Sequence, residues 1–183
     1  MAVYSANLQA WWHKLSSAWQ KVLIQALDLE HRFGLNDLEY IFTIQELHCV
    51  GLTDLSPLYY LPQLERLHLN RCQVSDYSPL RSLSNLRELH LTFGNDPDIG
   101  LLVGLQQLEV LDISYPFGQL HHKEDLSHLH QLKELYLNAC KMESLTPLLA
   151  LDRLEIACMY FNPIQPYEVQ NFQNLRSDCR LMC

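Results

Sequence analysis

The residues of this chain that could carry chemistry are its nine histidines and six cysteines. His48, His68 and His90 are followed by Asp112 at intervals of 20, 22 and 22 residues. If these positions are equivalent in a repeating fold, the four side chains form one column, with neighbours roughly 4.8 Å apart on adjacent strands. Imidazole and carboxylate groups at that spacing could bind a metal ion or influence each other's titration.

A loop with two further histidines contains the other group that could act as an acid–base cluster. His121 and His122 are followed closely by Glu124 and Asp125. Together with the column, this loop defines the alternative function, which is a metal- or pH-responsive element or a small hydrolase. Half-exposed strand histidines and a charged loop tip are the simpler interpretation. We expect the column to titrate in stages without binding zinc tightly, and therefore no metal site and no cofactor.

Sequence motifs give no support for catalysis. The chain contains no Gly-x-Ser-x-Gly elbow, no phosphate-binding glycine loop and no His-Glu-x-x-His. A zinc site made of cysteines would require Cys-x-x-Cys or Cys/His pairs, which are absent from the sequence. We therefore predict a protein that is not an enzyme and has no small-molecule substrate.

Composition limits the kind of partner and the compartment. Hydrophobic residues make up 48% of the chain, charged residues 19%, and the net charge is −8. An acidic chain without a basic cluster is not expected to bind nucleic acid. No apolar run is long enough to span a membrane, and the N-terminal residues lack the pattern of a signal peptide. We expect a cytoplasmic protein with free cysteines and no membrane partner.

The elements that would position these side chains recur six times. The segment Leu64-x-x-Leu67-x-Leu69 begins again at Leu86. Positions are counted from the first residue of each segment, so that Leu64 is position 1. Positions 4 and 6 are predicted to face a core, and position 5 is predicted to face out. Ser-Pro-Leu or Thr-Pro-Leu opens a return limb in three segments, which predicts a helical or 3₁₀ turn begun by an N-cap hydroxyl. The six segments begin at Ile44, Leu64, Leu86, Leu108, Leu132 and Leu154.

The two ends of the repeat array are predicted to be capped. Apolar residues at helical spacing from Leu8 to Leu27 predict one amphipathic helix, and Asn36 with Glu39 predicts the capping box of a second. A last helix and a short strand are expected after Pro166. We divide the chain into a helical N-terminal cap (1–43), six repeats (44–165) and a C-terminal cap (166–183), all in one structural domain.

Two segments carry a resemblance to a known family. Leu52-Thr-Asp-Leu-Ser-Pro-Leu58 and Val74-Ser-Asp-Tyr-Ser-Pro-Leu80 resemble the roughly 22-residue leucine-rich repeats of bacterial internalin-type proteins. The tryptophan-rich N-terminal helix is similar to the helical cap of bacterial leucine-rich repeat proteins. The resemblance implies an α/β leucine-rich repeat solenoid, right-handed, with a parallel sheet on its concave face. It also implies a protein–protein interaction module.

The expected binding surface combines the concave face with two irregular loops. Residues 93–98 and 115–125 replace the regular turns of the third and fourth repeats and leave the same end of adjacent strands. Exposed aromatic side chains near them would mark an interface, although Phe93 and Phe161 could instead fold over their own turns. We predict that an adaptor or an inhibitory or regulatory subunit binds its protein partner through His68, His90, Phe93, Asp112, Tyr115, Tyr136, Tyr160 and Phe161.

Overall fold

A computed structural model describes residues 2–29, 33–94, 98–116 and 120–183 of the chain. Within these ranges, seven strands form one parallel sheet whose spatial order follows the chain. Each strand is the first part of one turn of the solenoid, so the predicted leucine-rich repeat architecture is confirmed. The strands are β1 (Glu46–Val50), β2 (Arg66–Asn70), β3 (Glu88–Thr92), β4 (Val110–Asp112), β5 (Glu134–Tyr136), β6 (Ile156–Cys158) and β7 (Arg180–Met182).

Strand register places equivalent repeat positions side by side. His48 is opposite His68, His68 opposite His90, and His90 opposite Asp112. The column predicted from the sequence therefore exists, and it continues through Tyr136 to Cys158. The side chains at positions 4 and 6 of every repeat are buried, at no more than 4% exposure. Because strand side chains alternate between faces, burying these leucines fixes which residues face outward.

Every repeat bends at position 8 through a left-handed backbone conformation. The φ angle there lies between +51° and +67° in all six repeats, and only the first has glycine at this position. In the first five repeats the N–H of position 8 donates to the position 7 carbonyl of the next repeat, over 2.8–3.4 Å. This continuing ladder holds non-glycine residues in a conformation that side chains disfavour. The residues are Gly51, Arg71, Phe93, Tyr115, Ala139 and Phe161.

The return limbs are 3₁₀ helices, as predicted, but their caps differ from the prediction. Ser56 and Ser78 are the first helical residues instead of N-caps, and neither provides a side-chain cap. The capping bond comes from the aspartate two residues earlier, whose Oδ1 accepts from the Ser56 or Ser78 backbone N–H at 2.8 Å. The five return-limb 3₁₀ helices are Ser56–Tyr60, Ser78–Ser82, Ile99–Leu101, Lys123–His128 and Thr146–Ala150.

The N-terminal part contains two α-helices where the sequence predicted one. Helices α1 (Ala2–Lys14) and α2 (Ser17–Ala26) are separated because the Ser16 hydroxyl accepts from the Trp19 N–H and starts a new helix. A 3₁₀ helix, Leu35–Thr43, then leads into β1. Its first turn is closed by Gly34 and Asp37, not by Asn36 and Glu39 as predicted, since the Asp37 carboxylate accepts from the Gly34 N–H at 2.8 Å.

The C-terminal part closes the other end of the sheet. Helix α3 (Pro166–Leu175) buries Phe172 and is followed by β7, as the sequence predicted. Arg176 is also buried and donates from its guanidinium to the carbonyls of Leu151 and Leu154 at 2.7 and 3.0 Å. Helix length and hydropathy give no candidate for a membrane-spanning helix among the described residues.

Candidate binding face

The histidine column forms a stack on the outward face of the sheet. The ring centroids of His48 and His68 are 4.3 Å apart, and those of His68 and His90 are also 4.3 Å apart. The planes in the two pairs are inclined by 17° and 10°. Parallel strands at equal register impose this spacing, so the stack follows directly from the repeat.

Carboxylates lie beside each ring of the stack. His48 Nε2 is 2.7 Å from Glu46 Oε1, and His90 Nε2 is 2.8 Å from Glu88 Oε1. The same Glu88 oxygen lies 3.5 Å from His68 Nε2. On its other side, His90 Nδ1 is 3.5 Å from Asp112 Oδ2. The stack is therefore a mixed imidazole–carboxylate cluster instead of a row of isolated histidines.

The cluster shifts its members' pKa values in opposite directions. Burial, together with the neighbouring histidines, lowers the pKa of His68. The hydrogen bond to Asp112, assisted by Glu88, raises the pKa of His90 in spite of its partial burial. Burial opposes ionisation of Asp112, but hydrogen bonds from His90 and Ser114 outweigh it and lower the pKa of this carboxyl.

Four of the predicted aromatic residues lie at the strand ends. Phe93 and Tyr115 stack with centroids 5.3 Å apart and planes inclined by only 5°, yet they remain 40% and 38% exposed. Tyr160 and Phe161 form a tilted pair at 6.5 Å, with 44% and 79% exposure. Phe93, Tyr115 and Phe161 share position 8, where the left-handed backbone turns their side chains away from the core.

The side chain of Tyr136, another predicted site residue, is held by a hydrogen bond. It lies in the column next to Asp112, is half-buried, and donates from its hydroxyl to Glu134 Oε2 at 2.7 Å. That hydrogen bond raises the pKa of Tyr136 to about 12. A depression of about 320 Å³ between Tyr136 and His90 is lined by Glu88, Asp112 and Glu134 as well. Tyr136 thus forms a wall of a polar recess and not a protruding contact.

The described parts of the irregular loops lie side by side, as the sequence predicted. Asp98 and His121 form a parallel bridge, and the Ile99 N–H donates to the His121 carbonyl at 3.2 Å. Residues 95–97 and 117–119 of these loops lie outside the described part of the chain. Among the described residues, the column lines two depressions, and His121 and His122 line neither of them.

Sequence reasoning missed the glutamates of the candidate site. Glu46, Glu88 and Glu134 stand at position 3 of their repeats, and each contacts the column residue two positions later. The signal was present in the sequence as Glu-x-His, Glu-x-His and Glu-x-Tyr, because residues two apart on a strand share a face. Exposed Val50, Tyr59 and Tyr60 were also missed.

Comparison with known proteins agrees with the repeat geometry. A family model described as leucine-rich repeats (2 copies) matches residues 62–97. This chain is a leucine-rich repeat protein. Its fold is similar to that of an internalin (inlF) from Listeria monocytogenes, with a TM-score of 0.65 and 24% sequence identity. The alignment covers 91% of this chain but only 55% of that internalin.

Two other solved structures show the same leucine-rich repeat fold. Internalin C2 (inlC2) from L. monocytogenes aligns with a TM-score of 0.58 and 20% identity, over 91% of this chain and 93% of that one. A leucine-rich repeat protein from Leptospira interrogans aligns with a TM-score of 0.63 and 20% identity, over 78% and 38%. No curated protein matches the sequence significantly. The fold is typical of protein-binding modules and is usually non-enzymatic.

Proposed function

We propose that this leucine-rich repeat protein is an interaction module that binds a protein partner through its concave face and aromatic edge. We define the aromatic edge as Phe93, Tyr115, Tyr160 and Phe161. In this proposal the protein is an adaptor or an inhibitory or regulatory subunit without catalytic activity of its own. The observation that carries the proposal is the parallel, solvent-exposed pair of Phe93 and Tyr115.

The aromatic pair is not accounted for by packing of the fold itself. Positions 4 and 6 already fill the core, and position 8 does not need an aromatic side chain, since Arg71 and Ala139 occupy it elsewhere. Each ring covers one face of the other ring, and part of the remaining ring surface is exposed to solvent. Exposed aromatic groups of this kind supply large contact areas at low entropic cost and are common anchors of interfaces.

Polar groups next to the edge supply the specificity in this proposal. His68, His90 and Asp112 lie on the same outward face, and their carboxylate neighbours give this face an acidic character. Hydrogen-bonding groups around apolar anchors discriminate between partners because an unmatched polar group becomes costly when it is buried. We therefore expect a partner surface that combines an apolar patch with basic or hydrogen-bond donor groups.

The cysteines support the reducing compartment that the sequence suggested. All six are free thiols, and five of them are buried. Burial raises the pKa of Cys140 to about 12, and it also raises the pKa of Cys72 and of Cys179, so these thiols are poor nucleophiles. A cytoplasmic interaction module fits these properties, and cytoplasmic location is part of the proposal.

The test compares partner binding by matched variants. The wild type, the double variant Phe93→Ala/Tyr115→Ala and the control Tyr167→Ala are immobilised and incubated with extract of the native cells. A true partner is retained by the wild type and by the control, since Tyr167 is an exposed tyrosine on α3 and is not one of the residues of the edge. Its affinity is then measured with purified components.

We expect the double variant to weaken binding by about 2 kcal/mol or more, which is roughly 30-fold in the dissociation constant. Its melting temperature should stay close to that of the wild type because neither ring belongs to the buried core. Equal affinities of the wild type and the double variant for a purified partner would remove the aromatic edge from the interface.

A further inference from the structure

Three side chains on the outward face bring their donor atoms together. Glu88 Oε1 lies 2.8 Å from His90 Nε2 and 3.5 Å from His68 Nε2. All three donor atoms lie within 4.8 Å of one another. Two imidazole nitrogens that converge on one carboxylate oxygen are a donor set that binds zinc and related ions.

These distances are close to those of a metal site. Zinc binds imidazole nitrogen and carboxylate oxygen at about 2.0–2.2 Å, so two tetrahedral ligand atoms are roughly 3.4 Å apart. The Glu88–His68 separation of 3.5 Å matches this value, and the Glu88–His90 contact of 2.8 Å must open slightly. The nearly parallel rings must tilt to aim both nitrogens at one ion. Both rings lie on the outward face of the sheet, opposite the buried leucines, so tilting does not disturb the core.

Asp112 supplies the outer support that histidine ligands usually have. Its Oδ2 lies 3.5 Å from His90 Nδ1, on the side of the ring opposite the Glu88 contact. A carboxylate in this place holds the proton on Nδ1 and leaves Nε2 free to bind a metal. Asp112 is itself fixed, because its Oδ1 accepts from the Ser114 N–H at 2.8 Å.

We propose that His68, Glu88 and His90 bind one divalent transition-metal ion, with zinc as the preferred metal and Asp112 as the positioning residue. The fourth coordination position faces the open side of the sheet, where water or a ligand can occupy it. This is a set of two histidines and one glutamate with an open position, as in sites where zinc binds an exchangeable ligand. His68, His90 and Asp112 also belong to the proposed partner-binding face, but this proposal does not rest on a protein partner, since binding of the metal alone can be measured.

A neighbouring trio provides an internal comparison. Glu46, His48 and His68 also place their donor atoms within 4.8 Å of one another. In that trio, however, the Arg66 guanidinium binds Glu46 Oε2 at 2.6 Å and adds a positive charge beside the carboxylate. Arg66 is also opposite Glu88 in the strand register, but its ion pair occupies the Glu46 carboxylate, and this favours the His68–Glu88–His90 site. His48 is therefore not a ligand in the proposal.

Protons compete with the metal at this site. A histidine ring nitrogen must be unprotonated to bind a metal ion, so protons and zinc compete for His68 and His90. Zinc binding should therefore weaken as the pH falls.

The site revises the expectation drawn from the sequence. There the column was His48, His68, His90 and Asp112, and we expected no tight zinc binding. The Glu88 carboxylate lies close to two of the rings, and in the proposal Asp112 is the outer support instead of a ligand. A three-donor set with a positioning carboxylate is a better zinc site than a row of stacked rings.

The test uses the full chain, purified without a histidine tag and stripped of metal with a chelator. ZnCl₂ is titrated by calorimetry near neutral pH, and CoCl₂ is titrated while the visible absorption of tetrahedral cobalt is followed. We expect one ion per chain. Asp112→Asn should weaken zinc binding about 10- to 100-fold, and Glu88→Gln and His90→Ala should weaken it more. The control variants His48→Ala and His130→Ala should bind like the wild type, because His130 is an exposed histidine outside the column.

Nuclear magnetic resonance of the wild type keeps the test independent of how the variants fold. Zinc should move the ring signals of His68 and His90 and leave that of His130 in place. The proposal is overturned if the folded wild type shows no saturable binding of either metal. It is equally overturned if His48→Ala abolishes binding while His90→Ala does not.

Discussion

His122 Nδ1 lies 2.7 Å from Asp98 Oδ1, and this pair joins the loops of the third and fourth repeats. The hydrogen bond from His122 lowers the pKa of Asp98, and the same bond raises the pKa of His122. Asp98 also accepts from the Gly100 N–H at 2.8 Å, and His122 adopts a left-handed conformation with φ of 52°. The contact replaces the regular Ser-Pro-Leu turn that these two repeats lack.

The first prediction is that this contact makes stability depend on pH. Because the pKa of His122 is higher in the folded than in the unfolded protein, the contact stabilises the fold fully at a pH below the unfolded-state pKa, near 6.5. This contribution is lost as the pH rises through the folded-state pKa. A lowered pKa of Asp98 stabilises the fold above about pH 4 and is lost as the pH falls. The full effect therefore lies between about pH 4 and pH 6.5.

We expect His122→Gln to lose stability relative to the wild type at a pH near 5.5, and to lose less at a pH near 8.5. Urea unfolding at the two pH values measures the difference, and His130→Gln serves as the control. A stability loss that is equal at both pH values would show that charge does not contribute to this contact.

The second prediction concerns the N-terminal helices, which cover the first repeat. Trp19 is 1% exposed, and its Nε1 donates to the Asp54 carbonyl at 2.7 Å. Trp19→Ala should destabilise the protein by about 3–5 kcal/mol, since it removes a large buried aromatic group. Trp19→Phe should cost less because most of the apolar contact remains.

Urea unfolding of the two variants measures both losses. The matched control is Trp11→Ala, which removes a half-buried tryptophan from the neighbouring helix α1. If Trp19→Ala unfolds at the same urea concentration as the wild type, the helices do not contribute to the stability of the repeat array.

The sequence predicted the fold well because one pattern repeats six times. Leucines at positions 4 and 6 can be buried together only if the strands are parallel and in register, so the histidine column followed from the spacing alone. The break between α1 and α2 was not predictable from apolar periodicity, since it depends on one hydroxyl, that of Ser16. The Glu88 contacts could not be predicted in the same way, because the repeat spacing aligns backbone positions but does not show toward which neighbour a long side chain turns.

The third prediction concerns the polar bend of the sixth repeat. Asn162 Oδ1 accepts from the backbone N–H groups of Cys140 and Met142, each at 2.9 Å. Its Nδ2 donates to the carbonyls of Leu137 and Met159 at 2.7 and 2.8 Å. Asn162→Ala leaves these peptide groups without their partner, and we expect a loss of about 2–4 kcal/mol in unfolding free energy.

The control for this loss is Asn174→Ala, at an exposed asparagine on α3. Surface substitutions of this kind usually change stability by no more than about 0.5 kcal/mol. Similar unfolding midpoints for the two variants would mean that water replaces the Asn162 amide at little cost.

The fourth prediction uses the left-handed bend at position 8. Ala139 has φ of 58°, a conformation that costs a non-glycine residue roughly 1–2 kcal/mol. Ala139→Gly removes this cost. It also raises the conformational entropy of the unfolded chain, which destabilises the folded state by about 0.4–1 kcal/mol. The substitution should therefore be neutral to slightly stabilising.

Two matched variants should change stability in the opposite direction. Gly51→Ala places a side chain on a residue with φ of 67°. A Cβ there meets no atom within 4 Å, so any loss of stability comes from the backbone conformation alone. Ala150→Gly, at an exposed position in a 3₁₀ helix, should lose about 0.5–1 kcal/mol. Urea midpoints of the three variants measure the order directly. If Ala139→Gly is as destabilising as Ala150→Gly, the left-handed bend carries no backbone strain. The hydrogen bond from the Ala139 N–H to the Tyr160 carbonyl would then have no strain to offset.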